Sequence, residues 1–197
     1  MERTDLGRIV AFTDGVMAVA ITLLVLNLEV PTVPGDELND ALVDLIPSLI
    51  AYLLAFALVG RFWIIHHRLF ETLRAFDSRL MTLNLGFLTL IVLVPFATEL
   101  FDRYTQEPAA AAVLGATLGL AALTHWLAVA YTLRRGLIHE EHRPATEPFA
   151  SPIGLGFTGV FLLSAPVAFL SPTAASLMWV ATIFLHYPLG RMGARGS

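Results

Sequence analysis

The apolar run GRIVAFTDGVMAVAITLLVLNLEVP, Gly7 to Pro31, carries Arg8, Thr13, Asp14 and Thr22. A charge near the centre of a bilayer costs about 2.5 to 3.5 kcal/mol, so such a group pairs with another or marks a pathway. A hydroxyl on a water-facing helix can replace part of an ion's hydration shell, and an apolar ring beside it can gate by dewetting. Spacing decides which residues can act together. On an ideal helix Arg8, Phe12, Gly15, Thr22, Leu23 and Leu26 fall within about 60° of Val19, forming one stripe. Asp14 lies roughly 140° away, so Arg8 and Asp14 each need a partner on another segment. In an antiparallel neighbour the residues at comparable depth are near Arg61 and Trp63, with His66 and His67 closer to the surface. A buried clamp without any permeant species would use the same charges, and ordinary packing would use the same stripe. Thr22 can also bond back to its own helix.

Other polar residues offer less chemistry. His139-Glu-Glu-His142 lacks the H-E-x-x-H spacing of a zinc protease and reads as a solvated loop. His66 and His67 project about 100° apart, a poor pair of metal ligands. His125 and His186 read as satisfied core or interface groups, and Ser48, Ser164 and Ser171 have no histidine and aspartate pattern to make a nucleophile. Pro47, Pro95, Pro166 and Pro188 should kink or end helices. No arginine recurs at every third residue, as a voltage sensor would require.

The elements that must position these groups follow from composition. Of 197 residues 56% are hydrophobic and 14% charged, against about 25% charged in soluble domains, and the mean hydropathy is +0.72. The expected fold is all-α: a polytopic membrane protein of six transmembrane helices, near 6–29, 42–65, 80–99, 110–133, 151–170 and 174–190, forming one domain over 1–197. The first run is too long for a cleaved signal and should stay in the protein. PTVPGDELND should break any helix between spans one and two, and HHRLFETLRAFDSR should link spans two and three. Ten of the twelve arginines fall on one side, with Arg103 alone in the opposite loops, which puts both termini in the cytoplasm. Cysteine is absent, and the net charge of -4 is spread over loops, giving no sign of a nucleic-acid partner.

The segment Arg8-I-V-A-Phe12-Thr13-Asp14 with its apolar continuation resembles the first-helix signature of the transmembrane protein 175 family, the endolysosomal potassium channels and their bacterial relatives. The pattern there is R-x-x-x-F-S-D, and Thr13 replaces the serine. The stretch Arg61-Phe-Trp63-I-I-His66-His67-Arg68 is similar to the Trp/His-rich end of the family's second helix. The resemblance implies a homotetramer in the plasma membrane whose first helices line a central potassium path. By motif position Val19 would form the constriction, Thr22 a hydroxyl ring, and Leu23 and Leu26 further apolar layers. Arg8, Phe12, Thr13, Asp14, Trp63 and His67 would form the polar network behind the pore helix. No cofactor is implied beyond the permeant K+, and no enzyme activity. The acidic residues Asp36, Glu37, Asp40 and Asp44 can concentrate cations at the mouth or merely solvate a loop. The rival reading is an ion- or proton-coupled transporter using Asp14 as carrier, against which stands the lack of inverted repeats or broken-helix pairs.

Overall fold

A computed structural model describes residues 3–184; within that range the side chains of 3–5, 152–153 and 183–184 are not described. Among the described residues the order is α1 (Arg3–Leu23) with a 3₁₀ turn (Leu24–Asn27), α2 (Leu38–Asp44), α3 (Ile46–Glu71), α4 (Ser78–Arg103), α5 (Pro108–Arg135), a 3₁₀ turn (Glu140–His142), α6 (Arg143–Ala150), α7 (Pro152–Ala168) and α8 (Pro172–Phe184). The fold is all-α and polytopic, and the segments Leu6–Asn27, Ile46–Glu71, Ser78–Arg103, Pro108–Arg135 and Glu140–Ala168 are long and apolar enough to cross a membrane. The sixth expected span, 174–190, runs past the described residues; α8 holds 13 described residues, roughly 20 Å at 1.5 Å per residue. His186, Pro188, Arg191 and Arg195 lie outside the described residues.

Three expectations about boundaries need correction. Helix α3 does not end near residue 65 but runs through His66, His67 and Arg68 to Glu71. The first loop does not exclude helix altogether: Pro31, Pro34 and Gly35 break the chain, yet α2 begins at Leu38. The expected linker after span four contains α6, begun by a proline in its first turn, where a missing N–H is no loss.

Helix α5 is the spine, packed between α4 and α7. Small residues bring α7 close: a Cβ at Gly115 would stand 2.5 Å from Ser164 Oγ, and one at Gly119 would stand 2.9 Å from the backbone nitrogen of Leu162. This is the small-xxx-small device of membrane helices, which gain van der Waals contact where backbones approach. Gly119→Ala should separate α5 from α7 and destabilise the subunit by about 1 to 3 kcal/mol, the usual penalty of overpacking. Thermal unfolding in detergent checks this, with Gly86→Ala as control, since a Cβ there meets only Thr124 Cγ2 at 3.7 Å. The hydroxyl of Ser164 donates to the carbonyl of Phe161 and accepts from Trp179 Nε1 at 2.8 Å. It thereby fixes the buried Trp179 of α8 to α7 and is not a nucleophile in waiting.

The arginine-rich end is tied by the short segment between α3 and α4. Gly136 ends α5 at φ +62°, a left-handed conformation that glycine adopts without Cβ strain. Leu137 then turns back, its N–H donating to Thr132 O and its carbonyl accepting from Arg74 N at 2.9 Å. Asp77 caps α4 by accepting from the Leu80 N–H at 2.9 Å and also accepts from the Tyr131 hydroxyl at 2.5 Å. The Tyr131 hydroxyl first, then the Leu80 N–H, hold its carboxyl below the ordinary aspartate range. Because the folded pKa is depressed, this stabilisation is present above the unfolded value near ~3.9 and is lost as pH falls through the folded value. Asp77→Ala should destabilise by about 0.5 to 2 kcal/mol at neutral pH. The difference from wild type should narrow in acid, which unfolding measured at pH 7 and below pH 3 would show.

At the opposite end Arg103 joins Glu29, at 2.7 Å, and Glu99. Asn27 Nδ2 donates to the carbonyl of Pro95 at 3.1 Å. Both contacts bind the far end of the α1 segment to α4.

Candidate pore helix

Helix α1 packs against α3 and α4, and the packing divides its circumference. Met17, Ala20 and Leu24 are fully buried. On the other side Phe12 is 54% exposed, Val19 57%, Leu23 39% and Leu26 71%, with Arg8, Gly15 and Thr22 also exposed. Every member of the stripe read from the sequence therefore lies on the uncovered face of the subunit. Thr22 Oγ1 donates to the Val19 carbonyl at 2.9 Å. The proton is held by the helix while the oxygen's lone pairs stay on the exposed side, an arrangement that can meet a cation better than an anion.

The polar residues of α1 divide in the same way. Asp14 turns into the subunit and accepts from Trp63 Nε1 at 2.9 Å. Trp63 stacks on His67 with ring centroids 5.5 Å apart. His67 Nδ1 lies 3.8 Å from Asp14 and its Nε2 lies 3.4 Å from Glu71, so the imidazole stands between two carboxylates. Thr13, one residue earlier, is buried and belongs to a second arm. Its oxygen accepts from Asn84 Nδ2 at 3.0 Å, and Asn84 Oδ1 lies 2.9 Å from His66 Nε2. Since a carboxamide oxygen only accepts, His66 must carry its proton on Nε2. The His66 ring is held by Phe87, stacked at 4.5 Å, and by Phe70 and His125.

The two arginines near this network are placed differently from Asp14. Arg8 shares the exposed stripe with Phe12 and, among the described residues, makes no hydrogen bond or ion pair with the group around Asp14. Arg61 is placed against α7. Its guanidinium lies over the Phe157 ring of α7, 5.1 Å from the centroid. Residues two apart on a helix differ by about 200°, so Arg61 and Trp63 cannot both face α1.

Sequence comparison matches residues 8–95, which hold both arms of this network, to the family described as endosomal/lysosomal potassium channel TMEM175. The fold superposes on the crystal structure of a lysosomal potassium-selective channel TMEM175 homolog from Chamaesiphon minutus with a TM-score of 0.81 and 30% identity, covering 92% of this chain and 96% of that one. The chain belongs to the TMEM175 family. A potassium channel of Streptomyces collinus is 40% identical over 115 residues, 58% of this chain and 56% of its own length. A potassium channel of Chamaesiphon minutus is 37% identical over 137 residues, 68% of this chain and 65% of its own length. The chain thus aligns in sequence with less than two thirds of these relatives. The human protein, called an endosomal/lysosomal proton channel, is 31% identical over 110 residues, 22% of its length.

Helical spacing alone does not point to Asn84 and His66 as partners of Thr13 in this TMEM175 chain. The available signal is Asn84 itself, a lone carboxamide inside an apolar span, since such a group must find a hydrogen-bond partner when buried.

Proposed function

We propose that this chain is the subunit of a potassium-preferring cation channel, a homotetramer in the plasma membrane with the first helix of each copy lining the path. Each subunit has six spans in one membrane domain, with both termini in the cytoplasm. The reading is carried by one observation: the apolar stripe of α1 is uncovered from Phe12 to Leu26 while Thr13 and Asp14, between them, bond to α4 and α3 of their own subunit. A single subunit cannot enclose an axis with one helix, and closed rotational symmetry solves that with identical contacts. Similarity to a potassium-selective channel supports the same arrangement.

Val19 forms the narrow ring and Leu23 and Leu26 add apolar layers that empty of water when closed. Thr22 supplies four hydroxyl oxygens that replace part of the hydration shell of K+. No resident cofactor takes part. Arg8 and Phe12, at the entrance, complete the polar network by contact with the adjacent subunit. Asp14, Thr13, Trp63 and His67 hold the rotation of α1, and through it the direction in which Val19 points.

Reconstitution into planar bilayers with K+ on one side and Na+ on the other tests this. Discrete current steps with a reversal potential displaced toward that of K+ are expected. Flux without resolvable steps would favour a carrier, and a reversal potential that follows an imposed pH gradient would favour proton conduction.

A further inference from the structure

Away from α1, a cavity of about 390 Å³ opens between α3, α5, α6 and α7. Its walls combine two kinds of surface. Arg61 and Arg68 stand seven residues apart on α3, hence on one face of the helix, and both line it. Across from them His125 and Trp126 of α5 reach the same space. His125 is buried, and neither its Nε2 nor Trp126 Nε1 has a hydrogen-bond partner among the described residues. Ile64 and Phe157 make the remainder apolar.

We propose that this cavity binds a phosphate-bearing anion, and specifically the headgroup of an anionic phospholipid. Two guanidiniums supply the charge and the planar donor geometry that phosphate oxygens accept from. Trp126 Nε1 can only donate, so an acceptor oxygen satisfies it. His125 Nε2 is satisfied by a hydroxyl on the headgroup, which a glycerol-bearing lipid supplies. The apolar wall favours a lipid over free phosphate, because the first acyl methylenes gain contact there and a soluble anion gains none. Arg68 stands at the arginine-rich end of the bundle, where anionic lipid attracts cationic side chains, and Arg61 lies about 10 Å deeper along α3.

The test is native mass spectrometry of the intact protein, delipidated in detergent and supplied with phosphatidylglycerol, phosphatidylcholine or inorganic phosphate. Wild type should retain phosphatidylglycerol in preference to phosphatidylcholine, and about 5 mM inorganic phosphate should not displace it. Arg61→Gln with Arg68→Gln should weaken retention by about tenfold or more. Trp126→Phe keeps the ring and removes only the N–H. It should weaken retention by a few fold while eluting as wild type does, which separates lost binding from misfolding. Equal retention of the two lipids, retention unchanged in both variants, or displacement by inorganic phosphate would overturn the proposal.

Discussion

Val19→Ala should raise single-channel conductance severalfold and bring the permeabilities of K+ and Na+ closer together. The side chain is 57% exposed in the subunit, so shortening it removes two methyl groups from the proposed ring and no core contact. A wider and less apolar neck holds water more readily, which lowers the dewetting barrier. The effect should be specific to the face. Val16→Ala trims a residue packed against the core formed by Met17, Ala20 and Leu24. It should reduce stability by about 1 kcal/mol and leave conductance unaltered. Bilayer recordings of the two variants at equal K+ on both sides decide the matter. A Val19→Ala channel with wild-type conductance would remove Val19 from the neck.

That contrast is only partly legible in the sequence: residues three apart differ by about 60° around a helix, so spacing sets Val16 at the edge of the same stripe, and it is packing against the core that separates it from Val19. The stripe reads cleanly because one face of α1 packs on α3 and α4 and the other does not, the condition under which helical periodicity carries information. The helix ends are less legible. Hydropathy reports where lipid stops, whereas α3 continues to Glu71, where His66 and His67 are held by contacts with Asn84, Trp63 and Asp14. Depth along the bilayer gives the level of Asp14 on the neighbouring helix but not the azimuth, and so admits Arg61 as well as Trp63. The close approach at Gly115 and Gly119 stands in the sequence as a four-residue spacing, but that spacing does not say which helix supplies the opposing face. Pairings between distant segments, such as Thr13 with Asn84, depend on which helices are neighbours, and local spacing does not encode that.

Asn84→Ala should be the most destabilising single change in the network. Asn84 is 1% exposed and serves both Thr13 Oγ1 and His66 Nε2. A hydrogen bond between membrane helices is worth only about 0.6 kcal/mol on average, because the separated helices also find partners. That figure understates the change, since alanine leaves a buried hydroxyl and a buried imidazole N–H without partners, at about 1 to 3 kcal/mol each. The void adds to this, giving about 3 to 5 kcal/mol in all. Replacing all three groups by apolar residues of similar size, as Thr13→Val, Asn84→Leu and His66→Phe together, should recover most of the loss, because nothing polar is then stranded. Thermal unfolding in detergent compares the single and triple variants, and equal losses in both would mean that packing alone, and not the hydrogen bonds, sets the effect. Channel recordings then separate stability from direction. Thr13 and Asp14 are the polar contacts that fix the turn of α1 against α3 and α4. The triple variant keeps only the Asp14 arm, so it should fold yet let α1 rotate, and ion discrimination should fall even though Val19 and Thr22 are intact.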